Sequence, residues 1–181
     1  VYADKYMKKG IRAEDLLHLD SIEEKVRDIV EWKNITVTGY GHAPVNPDDI
    51  MAWLRTYGEQ VAPFVTDVST YLENAVAAGK NIMFEAQLGA LRDIDFGIYP
   101  YTSSSTTLAN YAPIGAGIPG KRLDKVVGIM KAYSTCVGEG PFTAEMFGDE
   151  AENLRRAGGE YGAATGRPRR VGPFDVVASR Y

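Results

Sequence analysis

The pattern of apolar residues changes at Gly79, and that change limits the folds open to the chain. Before Gly79, apolar side chains recur at helical spacing. After it they fall in short runs, separated by stretches rich in Gly, Pro, Ser and Thr. This division predicts a mainly helical part over residues 1–79 and a mixed part of strands and ligand loops over residues 80–181, together an α/β fold in one domain.

In the first part, Ser21-Ile22-Glu23-Glu24 reads as a capping box, and Ile22, Val26, Ile29 and Val30 then repeat at helical spacing. Asn46-Pro47 supplies a cap and a first-turn proline. Asp48 and Asp49 suit the positive helix end, and Ile50, Leu54, Tyr57 and Val61 form an apolar stripe ended or kinked near Pro63. A third helix is expected from Asp67 to Ala78, stopped by Gly79 in the left-handed conformation.

In the second part, Ile82-Met83-Phe84 reads as a buried strand that delivers Glu85 to Gly89 at its C-terminal end, a usual place for a ligand loop. Residues 97–120 read as a long loop, or as loops around a short helix near Thr106 to Ala112. A loop of that length in a compact domain is usually functional. Val126 to Ser134 and Phe174 to Ser179 read as strands, and Asp149 to Ala157 as a short helix.

Composition narrows the function classes. The chain has 181 residues, 45% hydrophobic and 24% charged, enough for a sizeable core. A net charge of −4 gives no overall attraction to nucleic acid or to an anionic membrane, so anion binding must come from a local cluster. The lone Cys136 excludes an intramolecular disulfide and fits a reducing, cytoplasmic setting. His18 and His42 do not have metal-ligand spacing. No run approaches the roughly 18 apolar residues of a membrane span. The sequence opens on Val1, which suggests an internal piece of a longer polypeptide.

The local basic cluster is Gly162-Ala163-Ala164-Thr165-Gly166-Arg167-Pro168-Arg169-Arg170-Val171-Gly172. Glycines on both sides of three arginines let backbone N–H groups and guanidinium forks converge, a donor set that carboxylates and phosphates accept. A solvated basic turn is the plain alternative. A nucleic-acid patch lacks the basic balance and interleaved aromatics. Gly115-Ala116-Gly117-Ile118-Pro119-Gly120 matches G-x-G-x-x-G only formally, because no strand precedes it and Pro119 removes a donor. Thr102 to Thr107 places six hydroxyls in a row, which suits a phosphomonoester and equally suits caps and turns. Asp93 and Asp95 could form a carboxylate pair, with loop-orienting hydrogen bonds the favoured role. Nothing in the sequence brings His42 and Cys136 together as a nucleophile pair.

Three long motifs, in this order, carry a resemblance: Phe84 to Tyr101 (Phe-Glu-Ala-Gln-Leu-Gly-Ala-Leu-Arg-Asp-Ile-Asp-Phe-Gly-Ile-Tyr-Pro-Tyr), Lys131 to Phe142 (Lys-Ala-Tyr-Ser-Thr-Cys-Val-Gly-Glu-Gly-Pro-Phe), and Gly162 to Arg170. Together with Asp4-Lys5 and Gly10-Ile11-Arg12, they resemble the adenylosuccinate synthetase family over essentially the whole chain. The resemblance implies part of an α/β enzyme fold, distantly related to P-loop GTP-binding proteins and usually a homodimer. It implies a ligase of purine biosynthesis that uses GTP and Mg²⁺ to phosphorylate the 6-oxygen of IMP before the aspartate amine displaces the phosphate.

Carried over by position, the resemblance places Ala163, Ala164, Thr165, Gly166, Arg167, Pro168 and Arg169 on an aspartate-binding loop. Arg167 also lies near the IMP ribose, and Arg169 meets GTP. Ser103 replaces a threonine that binds the IMP phosphate, Val137 lies along the ribose, and Lys8 (or Lys9) stands where an arginine reaches the neighbouring subunit's IMP. The family loop Phe-Glu-Gly-Ala-Gln-Gly has its glutamine at the purine 6-position. Here Leu88 takes that place and Gln87 precedes it, so either Gln87 swings into the role or Leu88 faces the ligand. The retained Ser103, Thr165, Arg167 and Arg169 favour the first. The expected phosphate loop, catalytic Asp and His, Lys-x-Asp segment and main Mg²⁺ and GTP ligands have no counterpart, so no catalytic or metal-binding residue is assigned and the piece alone is expected to be inactive. A paralogous amine ligase acting on another purine nucleotide and a non-catalytic remnant are the rival readings. IMP, L-aspartate and GTP are the expected partners, with no nucleic acid and no membrane.

Overall fold

A computed structural model describes residues 2–181. The chain forms two compact units, Val1–Asn81 and Ile82–Tyr181.

The first unit is helical. Helix α1 (Tyr2–Tyr6) is followed by a 3-10 stretch, Ala13–Ser21, and by α2 (Glu23–Gly39). Helix α3 (Pro47–Trp53) runs through a π turn, Leu54–Gly58, into α4 (Glu59–Val61) and a 3-10 turn at Ala62–Phe64, after which comes α5 (Val68–Ala77). The cap at Asn46 forms as expected, accepting from the Asp48 N–H, and Asp67, read as the first residue of the third helix, is its N-cap and accepts from the Thr70 N–H. Gly79 adopts the expected left-handed conformation, with φ +70°.

Ile22, Val26, Val30, Met51 and Leu54 form the core of this unit, with Ile11, Leu16, Leu19 and Ile50 packed against it. Burying side chains of this size contributes about 1.5–3 kcal/mol each. Gly58 lies so close that an added Cβ would sit 3.1 Å from Leu16 Cδ2.

Two expectations fail here for local geometric reasons. Ser21 does not cap α2: it is the last residue of the preceding 3-10 stretch, and its Oγ donates to the His18 carbonyl. The reach-back hydrogen bond of a capping box appears earlier, where Asp15 accepts from the Arg12 N–H at 2.6 Å. Tyr57 and Val61 do not continue the apolar stripe, and Tyr57 is 50% exposed. The π turn takes more residues per turn than an α-helix, which shifts the register and brings Gly58, not Tyr57, against the core.

The second unit contains α6 (Tyr111–Gly115), β1 (Tyr133–Cys136), α7 (Gly148–Gly158), β2 (Arg170–Pro173) and α8 (Val176–Arg180). Strands β1 and β2 pair antiparallel, Tyr133 opposite Pro173 and Cys136 opposite Arg170. Helix α7 lies where it is expected, and the short loop helix begins later, at Tyr111.

The strand expectations are corrected. Ile82–Phe84 joins no strand, and Met83 is 88% exposed. Of residues 126–134, only Tyr133 and Ser134 join a strand, and Ile129 is 94% exposed. Among the described residues, the backbone N–H groups of 82–88 and 122–132 have no backbone partner. Phe174 to Ser179 is not a strand, because Asp175 accepts from the Ala178 N–H and starts α8.

Candidate functional site

Helix α7 ends at Gly159 in the left-handed conformation, and the next residues fold into a hairpin that carries the arginine segment. The Arg169 N–H donates to the Glu160 carbonyl, Tyr161 bridges Pro168, and the Gly162 N–H donates to the Arg167 carbonyl, at 2.9 Å for both hydrogen bonds. The tip closes through the Gly166 N–H on the Gly162 carbonyl at 2.7 Å. Gly166 has φ +64°, a conformation that glycine adopts without the Cβ penalty. Residues 163–168 are exposed at this tip, with Thr165 Oγ1 accepting from the Arg167 N–H at 3.3 Å.

The three arginines have different environments. Arg170 forms a bidentate pair with Glu145, at 2.8 and 2.5 Å, donates to the carbonyls of Gly138 and Gly140, and stacks its guanidinium over Phe142 at 5.5 Å. Its donors hold the fold together. Arg169 donates to Glu160 Oε2 at 2.9 Å, while its Nε is buried without a hydrogen-bond partner among the described residues. Arg167 is exposed at the loop tip, and its guanidinium has no partner among the described residues. Of the three, it is the one whose fork is open to a carboxylate or phosphate.

Glu160 is 2% exposed. Its Oε1 accepts from Lys131 Nζ at 2.6 Å and from the Tyr133 hydroxyl at 2.5 Å, and its Oε2 accepts from Arg169. Burial pushes its carboxyl up, but the hydrogen bonds from Lys131, Tyr133 and Arg169 outweigh it and hold the group below its ordinary value of 4.5. The resulting stability is present above that ordinary value and is lost as pH falls through the lower value of the folded state. The hydrogen bond to Glu160 also raises the Tyr133 phenol, with burial acting in the same direction. Sequence reasoning assigned no role to Glu160, Lys131 or Tyr133. The signal was an acidic residue a few positions before the arginines, with Lys131 and Tyr133 two apart at and just before the start of β1.

At the other end of β1, Arg92 donates to Cys136 Sγ at 2.7 Å and to the Tyr101 carbonyl. Its own carbonyl accepts from the Ser103 N–H at 2.8 Å, and Ser103 Oγ lies 2.8 Å from Ser105 Oγ. This chain of contacts brings Ser103 toward the end of β1, where Val137 follows Cys136 and is exposed. Asp93 is fully buried and accepts from the N–H groups of Asp95, Phe96 and Thr107 at 2.8–3.1 Å. Burial raises its carboxyl, and these backbone donors lower it further than burial raises it. Asp93 therefore orients the loop, as favoured, and forms no pair with the exposed Asp95.

A cavity of about 310 Å³ is lined by Leu88, Met130, Lys131, Tyr133, Ser134, Thr135, Phe174 and Ser179. Leu88 lines it and Gln87 does not. Leu88 has φ +79°, a conformation that costs a branched residue roughly 1–3 kcal/mol and that clusters at functional sites. Lys131 and Tyr133 belong to both this cavity and the Glu160 cluster, so the Leu88 cavity and the Glu160–Arg169 pair share the start of β1. A second cavity, of about 360 Å³, is lined by Asn110, Pro113, Lys121, Arg122 and Leu123 and contains none of the expected site residues. Lys8 lies in the first unit, exposed, with φ +59°. The described residues gather no group of three or more His, Cys, Asp or Glu side chains around one point.

Fold and site together define an α/β protein whose second unit carries an arginine loop on a small antiparallel sheet. The family model described as adenylosuccinate synthetase matches residues 1–181. The chain is 45% identical to an adenylosuccinate synthetase of Limosilactobacillus fermentum over 181 residues, which is 99% of this chain and 42% of that protein. It is 44% identical to that of Syntrophotalea carbinolica, with the same coverage. It superposes on a structure of fully ligated adenylosuccinate synthetase from Plasmodium falciparum with a TM-score of 0.86 and 32% identity, over 96% of this chain and 40% of that one. The chain belongs to the adenylosuccinate synthetase family. It spans 42% of the length of these curated relatives, and its fold is that of part of the synthetase.

Proposed function

We propose that this chain is part of a ligase that joins L-aspartate to IMP with GTP, giving adenylosuccinate in purine biosynthesis. The observation that carries the reading is the division of the arginine segment: Arg170 and Arg169 are held by glutamates, while Arg167 stands with Thr165 at an exposed, closed loop tip. A loop of this kind offers a guanidinium fork, a hydroxyl and backbone N–H groups to the aspartate carboxylates. Ala163, Ala164, Gly166 and Pro168 shape its path, Arg169 meets GTP, and Ser103 and Val137 hold the IMP phosphate and ribose.

GTP, when bound, supplies the phosphoryl group: the 6-oxygen of IMP takes it as GDP leaves, and the aspartate amine then displaces phosphate at C6 with loss of a proton. Mg²⁺ would balance the phosphate charge. The residues here bind and orient. The acid–base groups and main GTP and Mg²⁺ ligands belong to flanking polypeptide, and the working enzyme is a cytoplasmic homodimer in which Lys8 reaches the neighbour's IMP phosphate.

The test is a chimera in which this chain replaces the matching segment of the Limosilactobacillus fermentum relative. Adenylosuccinate should form from IMP, GTP and aspartate. Arg167→Leu should weaken aspartate use by roughly 1.5–3 kcal/mol, the worth of a charge-assisted hydrogen bond. A leucine variant with parental kcat and aspartate KM would remove the loop from the site.

The position of Leu88 on the cavity wall supports a second reading, an amine ligase acting on another purine nucleotide. An apolar wall leaves a polar 6-substituent unpaired. Under that reading the chimera uses IMP poorly and Leu88→Gln raises kcat/KM for IMP. A strong loss in Gln87→Ala, with Leu88→Gln at or below the parent, would discard it.

A further inference from the structure

We propose that Glu160 is a positioning residue for the arginine loop, acting on anionic substrate through Arg169; this rests on reading that loop as the ligand loop. The side chain is buried and all three of its side-chain hydrogen bonds go to Lys131, Tyr133 and Arg169, so it acts on a ligand through these donors. Two of them, Lys131 and Tyr133, come from the start of β1 and its approach, and the third is Arg169 across the hairpin neck.

The backbone of Glu160 is tied as tightly. Its N–H donates to the Arg155 carbonyl at the end of α7, and its carbonyl accepts from the Arg169 N–H, both at 2.9 Å. One residue thus fixes the end of α7, the neck of the loop and the guanidinium two residues beyond Arg167.

The charge count gives this arrangement a direction. One buried carboxylate faces two cations, Lys131 and Arg169, so the cluster keeps a net positive charge. Glu160 occupies one Arg169 nitrogen, Nη1, and the buried Nε keeps an N–H with no acceptor among the described residues. A carboxylate that merely neutralised a core arginine would take two donors of the fork, as Glu145 does with Arg170. Glu160 holds Arg169 by one nitrogen, which tethers the guanidinium at the hairpin neck and leaves its positive charge for an anionic ligand.

The experiment is a double-mutant cycle in the chimera, with KM for GTP and for aspartate, kcat and Tm measured for Arg169→Ala, Glu160→Gln and the double variant. Arg169→Ala should raise the KM of one of these anions roughly tenfold or more. Glu160→Gln should raise the same KM with kcat nearly parental, and the double variant should be no worse than Arg169→Ala alone. A parental KM in Glu160→Gln, or factors that multiply in the double variant, would overturn the proposal while leaving the loop in the site. A parental Arg169→Ala would instead remove Arg169 from the functional reading, and the proposal with it. Should Glu160→Gln not fold, Tyr133→Phe, which takes one donor from Oε1 and keeps the ring, should move the same KM by a smaller factor and vanish on the Arg169→Ala background. Its persistence there overturns the proposal equally.

Discussion

In the unit Val1–Asn81 Ile22, Val26, Val30, Met51 and Leu54 meet in one core, and the backbone is paired within helices, two of which carry side-chain caps at Asn46 and Asp67. In the unit Ile82–Tyr181 the apolar stretches around Met83 and from Val126 to Met130 lie outside any helix or strand, with Met83 and residues 126–130 exposed and no backbone partner among the described residues. Both regions contain runs of β-branched or large apolar residues, so composition does not separate them. The difference lies in where the hydrogen bonds must come from. A helix closes each bond four residues away, whereas a strand needs a neighbour from elsewhere in the fold.

Hydrogen exchange on the 181-residue chain should show this contrast most strongly. Amides inside α2 should exchange more slowly than those of residues 122–132 by a factor on the order of a thousand or more, because opening energies range from about zero to the whole stability of a domain. In the chimera, residues 122–132 should gain protection. Equal protection of the two segments in the isolated chain would break the comparison.

Truncating apolar side chains sharpens it further. Leu54→Ala should cost roughly 2–5 kcal/mol in urea unfolding followed by the fluorescence of Trp32 and Trp53, because Leu54 is in the core cluster. Ile129→Ala removes a comparable side chain at 94% exposure and should stay within about 0.5 kcal/mol in unfolding followed by far-UV circular dichroism. A loss at Ile129 as large as that at Leu54 would mean the run is packed in solution.

The smallest contrast between the regions is expected where the two units behave alike. Asn46→Ala and Asp175→Ala each remove a side chain that accepts a hydrogen bond at a helix start, and each should cost about 1 kcal/mol. Equal costs would confirm that the difference between the regions concerns strands and not local helix chemistry. A far larger loss at Asp175 would assign the excess to its second bond, from Thr143 Oγ1.

The features legible in the sequence were the local ones. The Asn46 cap, the Gly79 stop, the Ile22–Val26–Val30 face, helix α7 and the place of the arginine loop each depend on residues a few positions apart. The family was legible because three motifs kept their order and spacing. Tertiary structure decided what depends on residues remote in sequence or on a shift of helical register. The π turn at Leu54–Gly58 moved Tyr57 off the core, and the antiparallel partner of Tyr133 was Pro173, with the chain turning to helix just beyond. Which arginine stays open was settled by Glu145, 25 residues before Arg170, and by Glu160, which also gathers Lys131 from 29 residues away. Local bonds follow from adjacent residue types, but a buried carboxylate takes whichever cations the folded backbone brings within about 3 Å, and no sequence pattern states that distance.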